Sequence, residues 1–492
     1  MSWQTAVKQT RTSIESEPNS PSHELLPISS PAPNSEPTVM ASEGEPSPSD
    51  RGADVEKGLL ENVVLKPWDR FRRKGKKNVG LWRSIYKIYT CSWLNILLVL
   101  TPIAWWAHWH NGIHSSVVFT LCFLSIIPHE KLFDYYAEQM RLYLGKDIGD
   151  LLTITLNNVV EVTLAILLLT KCQLKLLQST ITGVVLLHLL LVPGAAFLTG
   201  GARIWEQDLH PAHTQLNHTL LTVGVLALLL PAAFYAAVDG TTNITTPTDA
   251  TVQEFLHMSR GLAVILLLIY ITSRIFYHNP PGEGHNMLNH PDAPQELKRE
   301  ENKLANQEPD VNQWVCLCFL AINVGIMAAT AEWLVDSIEF VQESGAITQE
   351  WFGLVLLPLV SFSADGAIAV GYFVHRSVGF IFKLGEPEPP TTLAKAEAID
   401  LSIQFLLLWM PLLTLIGWWT NKPFNLVFDF FEVAMLLGAC FLVNYVTADA
   451  KTNWAEGFVL LSFYTMIALC TWFYPGEEAT SALVSCGTTE TA

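Results

Sequence analysis

LNNVVEVTLAILLL, residues 156–169, places a single carboxylate, Glu161, inside an apolar run. LLPLVSFSADGAIAVGYF, residues 356–373, does the same with Asp365 in the other half of the chain. A carboxylate is costly at bilayer depth, so each must face a cavity, a partner or an ion. One such group at corresponding places in each half is the pattern of a carrier made from two repeats. The fold class that follows is an all-α polytopic membrane protein.

The rest of the chain agrees with that environment. Half of the 492 residues are hydrophobic, and 16 Trp and 24 Phe accompany the apolar runs. Mean hydropathy is +0.30. A span needs about 20 apolar residues. Candidates lie at 92–110, 113–129, 149–170, 178–199, 218–238, 253–277, 312–335, 350–374, 396–418, 424–447 and 454–474, which gives about eleven transmembrane helices. A large soluble enzyme would not carry so many apolar segments with so few charges. No nucleophile–base constellation or soluble catalytic domain appears, and no cofactor is implied.

Composition also sets the boundaries. Residues 1–60 are rich in Ser, Pro and Glu, cannot build a core and read as disordered. No apolar leader opens the chain, so the first span is expected to direct its own insertion. Arg70, Arg72, Arg73, Lys74, Lys76, Lys77, Arg83 and Lys87 precede that span and place the N-terminus in the cytosol. An anionic-lipid clamp is the functional alternative for these charges; nucleic acid is not an expected partner. Residues 277–311 form the longest polar break between spans and carry seven acidic against three basic residues. The expected divisions are 1–90, a cytosolic region with a basic end; 91–276, a leading helix and first repeat; 277–311, an acidic cytosolic linker; 312–476, the second repeat; and 477–492, a short tail. Eight scattered Cys show no paired spacing, so disulfides are not expected. Asn243 opens an N-glycosylation sequon on the expected non-cytosolic side.

Around Glu161, Asn157 and Asn158 stand four and three residues earlier, on roughly one helix face, with Thr155 a turn above Asn158. Amide and carboxylate oxygens suit a hard cation such as Ca2+. A glutamate can carry a proton when the ion leaves, because desolvation and nearby charge compete over its protonation. That competition is the physical basis of cation/proton exchange. The blander alternative is a Glu161 satisfied by a neighbouring helix. In the second half Ser361 and Ser363 accompany Asp365, with Gly353 and Pro358 upstream as helix interrupters; a hydrated structural aspartate at a kink is the alternative there. Supporting candidates are Asp400, Ser402 and Gln404 on one span, and Gln178 and His188 on another. Glu332 and Asp336 mark either an access vestibule or a span end. Arg260 either pairs with an acidic group or snorkels to the interface.

These residues carry a resemblance. From SWLNILLVLTPIAWWAHW (92–109) to NWAEGFVLLSFYTMIALCTWFYPG (453–476), the chain resembles the Ca2+/H+ exchanger (CAX) family of the cation/Ca2+ exchanger superfamily, particularly its fungal vacuolar kind. AEWLVDSIEFVQESGAITQEWFGLVLLPLV (331–360) and NLVFDFFEVAMLLGACFLVNYVTADAKTNWAEG (425–457) are similar stretches. The resemblance implies one leading helix plus two inverted five-helix repeats, and antiport driven by a proton gradient. The family's Gly-Asn-x-x-Glu motif falls on residues 157–161, with Asn157 in place of the Gly. Its Gly-Asn-Ala-Ala-Glu-His motif falls on 361–366, where Phe362 replaces the Asn, Asp365 the Glu and Gly366 the His. Among the supporting stretches, Val184 replaces a hydroxyl and Asp400 adds a carboxylate where the family has Gly.

The expected function is therefore a proton-coupled antiporter for Ca2+ or a related cation, with H+ as coupling ion, in an acidic endomembrane of vacuolar type. Its partners are the lipid bilayer and inorganic cations, and a homodimer stays open. The altered motifs leave a second reading, a transport-inactive relative acting as a regulator or scaffold.

Overall fold

The computed structural model describes residues 71–72, 79–110, 112–201, 207–208, 211–242, 249–278, 304, 306–338, 347–364, 366–367, 370, 397–449, 451–477, 483–484 and 486. Asp365 and Asn243 lie outside the described residues, as does most of the acidic linker. The described residues fall within one compact unit, Leu60–Ala492.

The helices are α1 (Leu81–Thr90), α2 (Leu100–Trp109), α3 (Ser115–Leu144), α4 (Lys146–Asn157), α5 (Val159–Thr170), α6 (Leu174–Leu186), α7 (Val192–Gly201), α8 (Pro211–Thr242), α9 (Asp249–His278), α10 (Gln313–Asp336), α11 (Gln349–Trp351), α12 (Glu397–Gln404), α13 (Met410–Trp419), α14 (Phe430–Val446) and α15 (Trp454–Trp472). A 3-10 segment, Trp93–Val99, leads into α2. The only strands among the described residues are Gln207–Asp208 and Lys451–Thr452, paired antiparallel between α7 and α8 and before α15.

Among the described residues, seven helical stretches are long and apolar enough to cross a membrane, and two bent pairs raise the number to nine. The protein is an all-α polytopic membrane protein. The shorter apolar helix α14 and the partly described 350–374 region are the remaining expected spans. Enclosure is graded. In Leu174–Thr199 78% of the apolar stretch is buried, against 28% in Gln313–Asp336 and Trp454–Trp472. The first is therefore the central helix, and the other two present apolar faces outward. Trp82, Trp93, Trp106, Trp109, Phe441 and Tyr445 are exposed, as expected for rings facing lipid and its interface.

One boundary differs from expectation. The second span was expected at 113–129, but α3 continues to Leu144 through Glu130, Lys131, Asp134 and Glu138. The charges do not end it because they find partners. Lys131 Nζ lies 2.6 Å from Asp134 Oδ2. His129 is buried between Asn323 Oδ1 (2.6 Å from Nδ1) and Thr101 Oγ1 (3.2 Å from Nε2), which ties α3 to α10 and α2.

A second correction concerns cysteine. Cys172, between α5 and α6, is joined by a disulfide to Cys486 in the C-terminal tail, 314 residues away. Sequence spacing could not show this pair, because the fold alone brings the two ends together. The tail is packed as well as tethered: Leu483 and Val484 are buried, and Asn425 Nδ2 donates to Leu483 O at 3.1 Å.

Two glycines set the central crossing. A Cβ on Gly183 of α6 would lie 2.7 Å from the Leu354 carbonyl carbon and from Pro358 Cγ. A Cβ on Gly353 would lie 2.8 Å from Ser179 Cβ. Bare hydrogens at both positions let α6 lie directly on the segment 352–358.

Candidate ion-binding site

Glu161 stands where a span breaks. Ile148–Asn157 and Val159–Thr170 meet at 51°, with Asn158 (φ −100°, ψ 4°) between them. Glu161 is in the first turn of α5. The amide ends of that turn favour negative charge nearby, and unwound segments at membrane depth are tolerated where they line a cavity or are enclosed by protein. The side chain is 2% exposed, and neither carboxylate oxygen has a hydrogen-bond partner among the described residues. His188 Nε2 is 3.7 Å from Glu161 Oε1. His188 lies in a single π turn, Leu187–Leu191, inserted after α6. Such insertions re-aim side chains and recur at functional sites.

Asn158 links the two halves of the chain. Its Nδ2 donates to Gln404 Oε1 at 2.8 Å. Gln404 Nε2 donates to Thr155 Oγ1 and to Tyr270 OH, each at 3.1 Å, while Trp409 Nε1 donates to Gln404 Oε1 at 3.3 Å. With its nitrogen committed, Asn158 keeps a buried Oδ1 that has no hydrogen-bond partner. Among the described residues, three buried oxygens on one broken span, two from Glu161 and one from Asn158, lack a well-formed hydrogen-bond donor, with the Ser361 hydroxyl beside the Glu161 pair. Leaving such groups unmet costs roughly 1–3 kcal/mol each, more when charged. A hard cation, or a proton on Glu161, relieves that cost.

The other residues divide. Ser361 is buried beside the Glu161 carboxyl, and its hydroxyl donates to Pro358 O at 2.9 Å. Ser363 donates to Val360 O at 2.6 Å. Both hydroxyls keep lone pairs free to accept. In the amide orientation that satisfies both of its polar atoms, Asn157 donates to Thr153 O (3.1 Å) and to Asp134 Oδ1 (3.2 Å). Ser402 is buried and donates to Ala398 O at 3.3 Å. Asp400 is half-buried and accepts from Asn217 Nδ2 at 2.9 Å, which joins α12 to α8. Gln178 lies apart from Glu161: its Nε2 donates to Asn425 O (3.2 Å) and Val427 O (3.0 Å). Glu332 and Asp336 are exposed, and Asp336 pairs with Lys171. Arg260 stacks over Trp418, 4.9 Å from the ring centroid.

Sequence reasoning missed Asp134. It interacts electrostatically with Glu161 and meets Asn157, so the site draws a second carboxylate from α3. The available signal was an acidic residue seven positions after the apolar run SVVFTLCFLSII with no Gly in between. No group of three or more His, Cys, Asp or Glu among the described residues forms a metal cluster. The oxygens here come instead from a carboxylate, amides and hydroxyls.

A buried carboxylate with unspent oxygens, at a helix break in the enclosed centre of a bilayer-length bundle, defines an ion-coupled secondary transporter. Known proteins specify the class further. The sodium/calcium exchanger protein family matches residues 315–473. A vacuolar calcium ion transporter of Cryptococcus neoformans var. grubii is 30% identical over 88% of this chain and 82% of its own length. A Ca(2+)/H(+) antiporter of Synechocystis sp. is 30% identical over 77% of this chain and 97% of its own. The solved structure of native YfkE shares the fold, with a TM-score of 0.57 at 22% identity, covering 77% of this chain and all of YfkE. So does the crystal structure of the H+/Ca2+ exchanger CAX, at a TM-score of 0.53 and 15% identity over 80% of this chain and 90% of that one. The chain belongs to the sodium/calcium exchanger family, in its Ca2+/H+ exchanger branch.

Proposed function

We propose that this protein exchanges Ca2+ for protons across the membrane of an acidic organelle, a vacuole in the setting of its fungal relative. One observation carries the reading: Glu161 is buried at a helix break with both oxygens unspent. Deprotonated, it attracts a divalent cation with Asn158 Oδ1 and the Ser361 hydroxyl beside it. Protonated, it has lost the charge that held the cation. Because one carboxylate cannot serve both ions at once, cation and proton take turns, and the carrier exchanges them.

Asp365, from the second half, is the proposed partner carboxylate, and Ser363 and Asn157 complete the surround. Gln404 and His188 position Asn158 and Glu161; Asp400 and Ser402 brace α12. The proposed architecture is eleven spans, one leading helix and two inverted five-helix repeats divided at 277–311. Of the three π turns among the described residues, Leu187–Leu191 after α6 and Phe405–Trp409 after α12 stand one in each proposed half, while Phe352–Leu356 follows α11 in the second. An odd span number puts the C-terminal tail opposite the cytosolic N-terminus, where an oxidising compartment keeps Cys172–Cys486 closed. One chain supplies the whole proposed site.

The second reading, a relative that no longer transports, draws on Phe362, which offers no oxygen where a desolvated Ca2+ seeks about six to eight. Sealed vesicles with an imposed proton gradient decide between them. Saturable uptake among Ca2+, Mn2+, Na+ and K+, lost in Glu161→Gln and in Asp365→Asn, is the expected result. No flux of any ion, from folded protein correctly delivered to the membrane, supports the non-transporting reading.

A further inference from the structure

A second group of buried charges lies at the end of the bundle marked by the Cys172–Cys486 disulfide. Lys175, three residues past Cys172, opens α6. Its Nζ is 3.5 Å from Glu350 Oε1 on α11 and 3.6 Å from Asp429 Oδ2 at the cap of α14. Glu432, in the first turn of α14, interacts electrostatically with Lys175, Glu350 and Asp429. Glu350 is 3% exposed, and Asp429 and Glu432 are fully buried.

The three carboxylates are not equally provided for. Asp429 accepts from Tyr474 OH on both oxygens (2.9 and 2.8 Å), from Phe431 N (2.9 Å) and from Glu477 N (3.1 Å). Burial and the bond to Asp429 raise the pKa of the Tyr474 hydroxyl, so it stays a donor. Three donors, the Tyr474 hydroxyl shared between the two oxygens and the Phe431 and Glu477 N–H groups, together with a neighbouring ammonium, surround the Asp429 carboxyl. Glu350 accepts from Ser179 Oγ and faces the same ammonium. Glu432 has Thr182 Oγ1 at 3.3 Å from its Oε2 and the Ser179 hydroxyl beside its carboxyl, and its buried Oε1 has no hydrogen-bond partner among the described residues.

Charge counting then decides. Among the described residues, three carboxyl groups share one Lys175 cation in a space almost closed to water. Isolated buried charges of that kind are not sustained; they are neutralised by an ion or a proton. The cluster already holds the Lys175 ammonium, which repels a metal cation and leaves a proton as the counter-charge, and Glu432, with fewer donors than Asp429, is the carboxylate placed to take it.

We propose that the Lys175–Glu350–Asp429–Glu432 cluster is a proton-binding station, with Glu432 Oε1 as the atom that takes and releases the proton. The titratable and charged groups facing Glu432 are Lys175 from α6, Glu350 from α11 and Asp429 from its own cap; Tyr474 and Glu477, after α15, hold Asp429. Lys175, Ser179 and Thr182 recur at helical spacing along one face of α6. The same span then reaches His188, the neighbour of Glu161, about 9 Å further along the axis from Thr182. The station thus stands on the helix that leads to the ion site, at the end assigned to the organelle interior. Its role in exchange rests on the antiport reading above, whereas proton occupancy of Glu432 does not.

Two measurements on the full-length protein in liposomes or nanodiscs test this. Infrared difference spectra of the wild type are expected to show buried protonated carboxyl stretches, one component of which disappears in Glu432→Gln and remains in Glu161→Gln. Absence of that component from the wild type, or a Glu432→Gln spectrum that loses no component, overturns the station whether or not the protein transports. Ca2+ uptake is then followed while pH is varied on the disulfide-bearing side. A single obligatory proton gives a dependence of up to about tenfold per pH unit. Glu432→Gln is expected to flatten that dependence to below about twofold while equilibrium Ca2+ binding stays within about twofold of wild type. An unchanged pH profile in Glu432→Gln overturns the station's part in exchange. Failure of Ca2+ uptake in the wild type, with the infrared band present, instead removes the antiport reading.

Discussion

Glu161 and Asn158 make the central chemical argument at the scale of single residues. A buried carboxylate without donors is unstable as an ordinary structural group, and it becomes sensible as one that is periodically occupied. Gln404 fixes the Asn158 amide so that the carbonyl oxygen, not the nitrogen, is left over. Gln404→Ala is therefore expected to leave Asn158 Nδ2 with only its long contacts to Ile154 O (3.4 Å) and Leu401 O (3.5 Å), and the Trp409 indole N–H short of an acceptor. At roughly 1–3 kcal/mol for each unmet buried group, apparent Ca2+ affinity should fall by about tenfold or more in an equilibrium binding assay. Unchanged affinity would mean that the Asn158–Gln404 bond does not set the site. Glu161, Asn158 and Gln404 stand out in the sequence as candidates because each is a polar residue in an apolar run. Asp134 does not, since a cluster of charges reads as the end of a span unless its partners are known. The i, i+3 pair with Lys131 and the contact with Asn157 are what keep α3 helical through those charges.

At the scale of elements, the break between α4 and α5 and the glycine crossing of α6 hold the site's geometry. Gly183→Val is expected to drive its side chain into the Leu354 backbone and Pro358. Overpacking of this kind costs about 1–3 kcal/mol. Thermal unfolding in detergent, followed by scanning fluorimetry, should show a clearly lowered midpoint. Gly325→Ala in α10 is the control: nothing lies within 4 Å of its Cβ position, so the midpoint should hold or rise. Equal effects from both substitutions would contradict the crossing. Hydropathy located most of these helices but could not locate their π turns. A π turn adds one residue to an otherwise normal apolar helix and leaves no compositional trace.

At the scale of the whole molecule, the tail is part of the structure. The disulfide links positions 314 residues apart, and closing so long a loop restricts the unfolded chain, an effect typically worth about 2–4 kcal/mol. Alkylation of the denatured, unreduced protein should modify six thiols, those of Cys91, Cys122, Cys316, Cys318, Cys440 and Cys470. Reduction should add two more. Eight reactive thiols before reduction would mean that the tail is not tethered. Cysteine spacing gave no hint of this pair, because only the return of the chain to one face of the bundle brings Cys486 to Cys172.

Ca2+-driven proton movement tests the central claim most directly. Full-length protein is reconstituted into liposomes carrying a trapped pH indicator, with no gradient imposed, and Ca2+ is added outside. The expected result is release of protons from the lumen as Ca2+ enters in the wild type, and neither movement in Glu161→Gln. Ca2+ entry with no proton counterflow, or wild-type exchange in Glu161→Gln, would contradict it.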